Sequence, residues 1–311
     1  MKKITTAFLL LFWLFRAQAQ DEFASVDNHA RSIRKSEHPT PESLAKALCK
    51  DLKNDRDKAR ALFTWIAENI KYDFKALDRD GSSTDSKKEY EDKLVKQVYK
   101  KGRGVCMGYA LLYKKMADVV GLECVFIPGN SKGSVFGGWE SHAWNAVKIN
   151  DKWELLDVTW GAGYSDENEK FHQVFQPGFF FTLPRIFALN HFPEDEKWQL
   201  LDQPIGKNEF KKQSAFSYAD PVMGIADTEP FGIPLTKGVD GKVALRLKMQ
   251  QPPTVIKLIM GNRDLKFERM EKDGWLTLRF VPTNGRELQI WGGERNRNRV
   301  TTTLIGVFPV E

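Results

Sequence analysis

Cysteine is scarce: residues 49, 106 and 124 are the only three in 311. That is too few for a disulfide scaffold, and the odd number leaves at least one thiol free. Histidine is almost as rare, and His29, His38, His172 and His191 show no metal-ligand spacing with a second histidine or cysteine, so no zinc centre is expected. Asp78 to Asp85 has the acids of a calcium loop, but Gly81 comes too early and no closing glutamate follows, which reads as a solvated loop. The chain has no internal repeat or low-complexity tract. Its apolar runs stop short of the roughly 20 residues a spanning helix needs. Charge of one sign is not in great excess either. The formal net charge of +6 falls to +3 once residues 1–19, which carry Lys2, Lys3 and Arg16 and no acid, are set aside. That excludes the basic footprint of a nucleic-acid binder and leaves only weak attraction to anionic surfaces or cell-wall polymers.

What is present begins at the amino terminus. Lys2 and Lys3 precede an apolar-leaning stretch from Ile4 to Phe15, and Ala17-Gln18-Ala19 puts small residues where a signal peptidase reads. Cleavage after Ala19 and export to the periplasm or medium are expected, with no membrane span left afterwards. No cysteine follows the apolar run, so lipid anchoring is not supported. In an exported chain Cys49 and Cys124 could pair, but two buried free thiols are the favoured expectation.

The chemistry centres on Cys106. It follows Gly102-Arg103-Gly104-Val105 and opens a helical pattern in which Tyr109, Leu112, Tyr113, Met116, Val119 and Val120 recur at three and four residues before Gly121 stops it. A thiolate in the first turn is favoured by unpaired N–H groups and the helix dipole, by about 0.3 to 2 kcal/mol. Full ionisation near neutral pH needs an imidazolium beside the sulfur. Gly102 and Gly104 suit a turn that brings bare backbone close to a substrate, and the N–H of Cys106 is a candidate oxyanion donor.

Ser141 to Ile149 and Lys152 to Trp160 alternate like two strands joined by a tight turn at Asn150-Asp151. That register opposes 149 to 152, Trp144 to Asp157 and His142 to Thr159. His142 and Asp157 become diagonal neighbours on one face, roughly 7 to 8 Å apart at the backbone. Cys106, His142 and Asp157 are thus nucleophile, base and orienting carboxylate. Tyr72, Trp139, Trp144 and Trp160 could line the cleft or donate to an oxyanion, since phenol and indole carry a polar handle on an apolar body.

Together Tyr72-Asp73, Gly104-Val-Cys106-Met-Gly-Tyr-Ala110, His142-Ala-Trp-Asn145 and Leu156-Asp157-Val-Thr-Trp160 resemble the transglutaminase-like superfamily. Its core shares the papain-type Cys-His-Asp arrangement. Asn190-His-Phe-Pro193 followed by Lys197-Trp-Gln-Leu-Leu201 is similar to the branch containing the kyphoscoliosis peptidase. The resemblance implies Cys106 as nucleophile, His142 as general base and later acid, Asp157 as its orienter, and no cofactor. Met107 departs from the polar or acidic residue expected there, which bears on substrate preference.

Elsewhere, Pro41 to Leu52 reads as a short helix and Asp55 to Tyr72 as a longer one with an apolar stripe at Ala59, Leu62, Phe63, Ile66 and Ile70. A helix is expected over 89–101. Gly121 to Pro128, with Cys124-Val-Phe-Ile127, reads as a buried strand, Gly-rich Lys132 to Gly138 as a cleft wall, and Gly161 to Ser217 as an irregular, aromatic wrap. Asp21 to Thr40 is either disordered or a cover for the cleft. From about Thr228 six short alternating runs, with hairpin signals at Asp273-Gly274 and Asn284-Gly285, read as an immunoglobulin-like sandwich without the cysteine pair. The expected fold is α+β: a signal peptide (1–19), a papain-like transglutaminase-core domain (20–227) and an all-β sandwich (228–311). The expected activity is exported thiol chemistry on protein or peptide amides, hydrolytic in preference to crosslinking. A non-catalytic scaffold for protein or polysaccharide is the rival from another class.

Overall fold

A computed structural model describes residues 22–74, 86–132, 139–165, 170–213, 215–216, 225–249, 252–296 and 299–311. The expected signal segment, the loop at 78–85 and positions 133–138 of the Gly-rich stretch lie outside them. Three helices open the fold: α1 (Ala24–Ser32), α2 (Pro41–Cys49) and α3 (Asp55–Asn69). Thr40 caps α2, with Pro41 at its first position, and Asn54 caps α3 by accepting from the Asp57 N–H. The segment 22–37 is neither disordered nor loose. Asp27 of α1 is buried, where it accepts both arms of Arg60 at 2.8 Å and the Thr64 hydroxyl at 2.6 Å.

Helix α3 stops three residues earlier than the apolar spacing predicts. Ile70 turns to an extended conformation, and Lys71–Tyr72 (β1) pair in parallel with Arg103–Gly104 (β2). The phenol of Tyr109 donates to the Ile70 carbonyl at 2.6 Å, giving that carbonyl a partner outside the helix. Between the two strands lies α4 (Lys87–Lys101), opened by a Ser86/Glu89 capping box and closed by Gly102 in the left-handed region. Then α5 (Cys106–Val119) runs through the core with Tyr109, Leu112, Tyr113 and Met116 fully buried, and Gly121, at φ +80, stands past its end.

A five-stranded antiparallel sheet packs on α5. Its strands are β3 (Cys124–Lys132), β4 (Trp139–Ile149) and β5 (Lys152–Leu156), and beyond the short helix α6 (Val158–Gly161) and the hairpin β6 (Gly163–Ser165) and β7 (Phe171–Gln173) come β8 (Phe180–Thr182), α7 (Pro184–Phe187) and β9 (His191–Pro193). The order is β8-β5-β4-β3-β9, so 161–217 is more than an irregular wrap: it supplies both edges of the sheet. Val147, Ile149 and Leu156 join the helical core, while Ile127, Trp144, Ala146, Leu155 and Phe187 form a second, smaller cluster. Helix α8 (Lys207–Lys212) follows.

The rest is all β. One sheet, ordered β10-β18-β17-β13-β14, joins β10 (Ala215–Phe216), β13 (Val255–Met260), β14 (Arg263–Asp264), β17 (Glu287–Asn296) and β18 (Arg299–Pro309). The other, β11-β12-β16-β15, joins β11 (Ile225–Glu229), β12 (Val243–Met249), β15 (Phe267–Lys272) and β16 (Trp275–Phe280). Leu245, Leu247, Leu276 and Leu278 of the second sheet share one apolar core with Leu258, Leu288, Ile290 and Phe308 of the first. β10 and β11, which precede or straddle residue 228, also belong to these sheets. No helix among the described residues is long and apolar enough to cross a membrane.

Candidate active site

The parallel pairing of β1 with β2 sets Tyr72 opposite Gly104, two residues before Cys106. A Cβ at Gly104 would lie 2.8 Å from Cγ2 of Val98, so close packing of β2 on α4 requires a glycine here. Cys106 is the first residue of α5 and half-buried. Its N-cap, Val105, has no capping side chain. Cys49 and Cys124 are free as well but buried, and burial pushes the Cys49 thiol up to about 12 and that of Cys124 higher still. Only Cys106 combines exposure with a helix start.

The β4–β5 hairpin has the expected register, Ile149 opposite Lys152 and Asn145 opposite Leu156. Asn150 and Asp151 both take positive φ, as a two-residue turn matched to the strand twist requires. The second strand ends at Leu156, however, so Asp157 does not sit opposite Trp144, nor Thr159 opposite His142. Asp157 instead caps α6: its Oδ1 accepts the N–H groups of Thr159 and Trp160 at 2.8 and 3.0 Å. This turn fixes the carboxylate so that Oδ2 accepts from Nε2 of His142 at 2.7 Å. The contact that the diagonal argument expects forms, by a cap and not by a strand pair.

Asp157 is fully buried. Burial favours its neutral form, but the charge and hydrogen bond of His142 and the hydrogen bond of His191 hold it well below the usual carboxylate range. His142 is buried too, which disfavours its cation. The charge and hydrogen bond of Asp157, with a hydrogen bond to Cys106 and the charge of that sulfur, more than offset this and raise the ring to about 10. Nδ1 is thus the nitrogen left for the sulfur.

Sequence reasoning passed over a fourth residue. His191, on edge strand β9 and 2% exposed, donates its Nε2 to the same Oδ2 at 3.0 Å. The one signal for it in the sequence is its place in Asn190-His-Phe-Pro193. His142 Nε2, His191 Nε2 and a carboxylate oxygen of Asp157 lie within 4.8 Å of one another, so the histidines do cluster. Both rings aim at one oxygen at hydrogen-bond distance, which is the geometry of a shared acceptor. A metal needs its ligands to converge at about 2.0 to 2.2 Å on a point between them.

The aromatic candidates divide. Tyr72 faces the site. Burial first, then the charges of Cys106, Glu140 and Asp157, raise its phenol far above the ordinary value, so it stays a donor. Trp160 lies 5.5 Å from His142 and 4.5 Å from His191 between ring centroids, and Trp144 lies 6.0 and 5.0 Å from them. These two wall the imidazoles from water. Trp139 is three positions from His142, on the other side of the pleat, and packs between Phe192 and Phe210 with Lys207 and Lys211 over its ring.

Residues 42–158 match the family model of the transglutaminase-like superfamily. This segment belongs to that superfamily. Kyphoscoliosis peptidase of Mus musculus is 28% identical over 256 residues, covering 80% of this chain and 37% of that protein. Hillarin of Drosophila melanogaster is 27% identical over 290 residues, covering 84% of this chain and 33% of that protein. The chain therefore spans little more than a third of the curated relatives it matches. A crystal structure of a TGase is 19% identical at a TM-score of 0.30, covering 50% of this chain and 35% of that one. The kyphoscoliosis peptidase branch anticipated from Asn190-His-Phe-Pro193 and Lys197-Trp-Gln-Leu-Leu201 holds, and the likeness supports a thiol-enzyme family.

Proposed function

We propose that the protein is an exported cysteine peptidase or amidase acting on protein or peptide amide bonds through a thioester on Cys106, its transglutaminase-like core followed by an immunoglobulin-like sandwich that presents partners or packs on the core. The observation that carries this reading is the buried Asp157–His142 hydrogen bond of 2.7 Å, with the Cys106 sulfur near enough to the same imidazole to help raise its value. Asp157 holds one proton on Nε2 of His142, and Nδ1, facing the sulfur, holds the proton that the thiol has given up.

The thiolate attacks the carbonyl carbon, and the N–H of Cys106 with the Tyr72 phenol supplies donors for the oxyanion. On collapse the C–N bond breaks, and His142 passes its Nδ1 proton to the departing amine. Water then enters, gives a proton to His142 and attacks the thioester. The C–S bond breaks and the sulfur leaves as thiolate beside the imidazolium. An amine in place of that water yields a crosslink, so access to the thioester separates the two outcomes.

Peptide libraries offered with and without a primary amine, with mass spectrometry of Cys106, test the proposal. Expected are a transient acyl adduct on Cys106, absent in Cys106→Ala, and a carboxylic acid product whether or not amine is added. Amide product in the presence of amine makes the protein a transglutaminase. No adduct, with iodoacetamide labelling all three cysteines equally slowly, leaves a binding scaffold.

A further inference from the structure

Asp157 Oδ2 accepts two hydrogen bonds, from His142 and from His191, and Oδ1 accepts two backbone N–H groups. An oxygen that accepts from both rings requires a hydrogen on Nε2 of each. For His142 that tautomer frees Nδ1 to receive the thiol proton. For His191 it leaves Nδ1 bare if the ring is neutral, and Nδ1 has no partner of good hydrogen-bond geometry. The Phe187 carbonyl favours a proton there, but burial and the His142 charge oppose it and the ring is held below its ordinary value.

The surroundings suit a fixed, uncharged ring. His191 stacks on Phe187 at 3.8 Å between centroids and meets Trp160 at 4.5 Å and Trp144 at 5.0 Å. A packing role alone would be filled as well by phenylalanine. The histidine adds one thing to that apolar box, an N–H aimed at the orienting carboxylate.

We infer that His191 is a positioning residue of this site: its neutral ring donates Nε2–H to Oδ2 of Asp157 and stops the carboxylate from turning away from His142. The inference rests on the thiol-enzyme reading for its consequence, not for its geometry. Without the second donor Oδ2 is held by His142 alone. The carboxylate, then restrained by the two backbone N–H groups on Oδ1 and by His142 without a second donor on Oδ2, holds its orientation less firmly, and in its neutral form His142 can place its proton on Nδ1, the tautomer unable to take one from Cys106.

The test compares the wild-type chain with His191→Gln, whose Nε2 can reach the same oxygen, and His191→Phe, which keeps the ring and removes the donor. Iodoacetamide alkylation of Cys106 at mildly acidic pH is expected to slow about tenfold or more in His191→Phe and to stay within about threefold of wild type in His191→Gln. Thermal unfolding is expected to rank the two the other way, since phenylalanine suits the apolar box better. In 15N-histidine-labelled protein at neutral pH, His191 is expected to show protonated Nε2 and bare Nδ1. Equal alkylation in the Phe and Gln variants, or an Nδ1-protonated His191, overturns the inference. Slow alkylation of Cys106 in the wild type overturns the thiol-enzyme reading instead, and the histidine spectrum then decides the tautomer by itself.

Discussion

At the scale of single residues the site is a balance between burial, which disfavours every charge in it, and mutual contacts, which restore them. His142 shows the sign of that balance. Its folded value of about 10 lies above the ordinary 6.5. The imidazolium therefore contributes stability that is fully present below about pH 6.5 and is lost as pH rises through about 10. Asp157 is the mirror case. Its value is depressed, so its contribution is present above the ordinary carboxylate value of 3.8 and is lost as pH falls below it. Urea unfolding of wild type and His142→Gln should show a stability difference that shrinks between pH 7 and 10.5; a constant difference would mean the ring is not protonated in the fold. Asp157→Asn keeps a side-chain oxygen for the α6 cap but offers His142 an amide. We expect turnover to fall by roughly 10² to 10⁴-fold while KM changes little, and an unchanged turnover number would remove Asp157 from the orienting role.

At the scale of elements, what could be read from sequence was what repeats locally. The α5 helix and the β4–β5 hairpin follow from periods of 3.6 and 2 in adjacent residues, and with them come Cys106, His142 and the neighbourhood of Asp157. The stripe of α3 continues through Ile66 and Ile70 past the helix end, because the break is imposed from outside, by pairing of Lys71–Tyr72 with a strand 32 residues away. Strands of three residues such as β8 and β9 have no period to detect. His191 reaches Asp157 only because Ser131 of β3 pairs with it across the sheet, a tertiary fact 34 residues from its partner. The hairpin still offers a local prediction. Asp151 sits at φ +64 with its side chain fully exposed, so Asp151→Gly should relieve left-handed strain and stabilise the chain by roughly 0.5 to 1 kcal/mol in chemical denaturation. Gly104→Ala should do the reverse, at about 1 to 3 kcal/mol, because the added methyl meets Val98 at 2.8 Å. Val98→Ala in the same chain should recover part of that loss; no recovery would place the clash elsewhere.

At the scale of the whole molecule the 185–191 stretch ties the β-rich sheets to the neighbourhood of Asp157. Ile186 and Leu189 leave the transglutaminase-like core and are buried in the cluster that holds the two β-sheets together, and Arg185 reaches Asp227 of β11 at 2.9 Å. Two residues after Leu189 the chain delivers His191 to Asp157. Packing between the β-sheets thus bears on the position of the donor at residue 191. Leu189→Ala should cost about 2 to 5 kcal/mol through the cavity it leaves. It should also slow Cys106 alkylation at temperatures where the chain is still folded, since the turn that seats His191 loses its anchor. Leu278→Ala, in the same cluster but far along the chain from that turn, is the control: a similar loss of stability, with alkylation unchanged. If both variants slow alkylation equally, the sandwich affects the site only through global stability. If neither does, the 186–191 turn holds its shape without the sandwich, and the two units are mechanically independent.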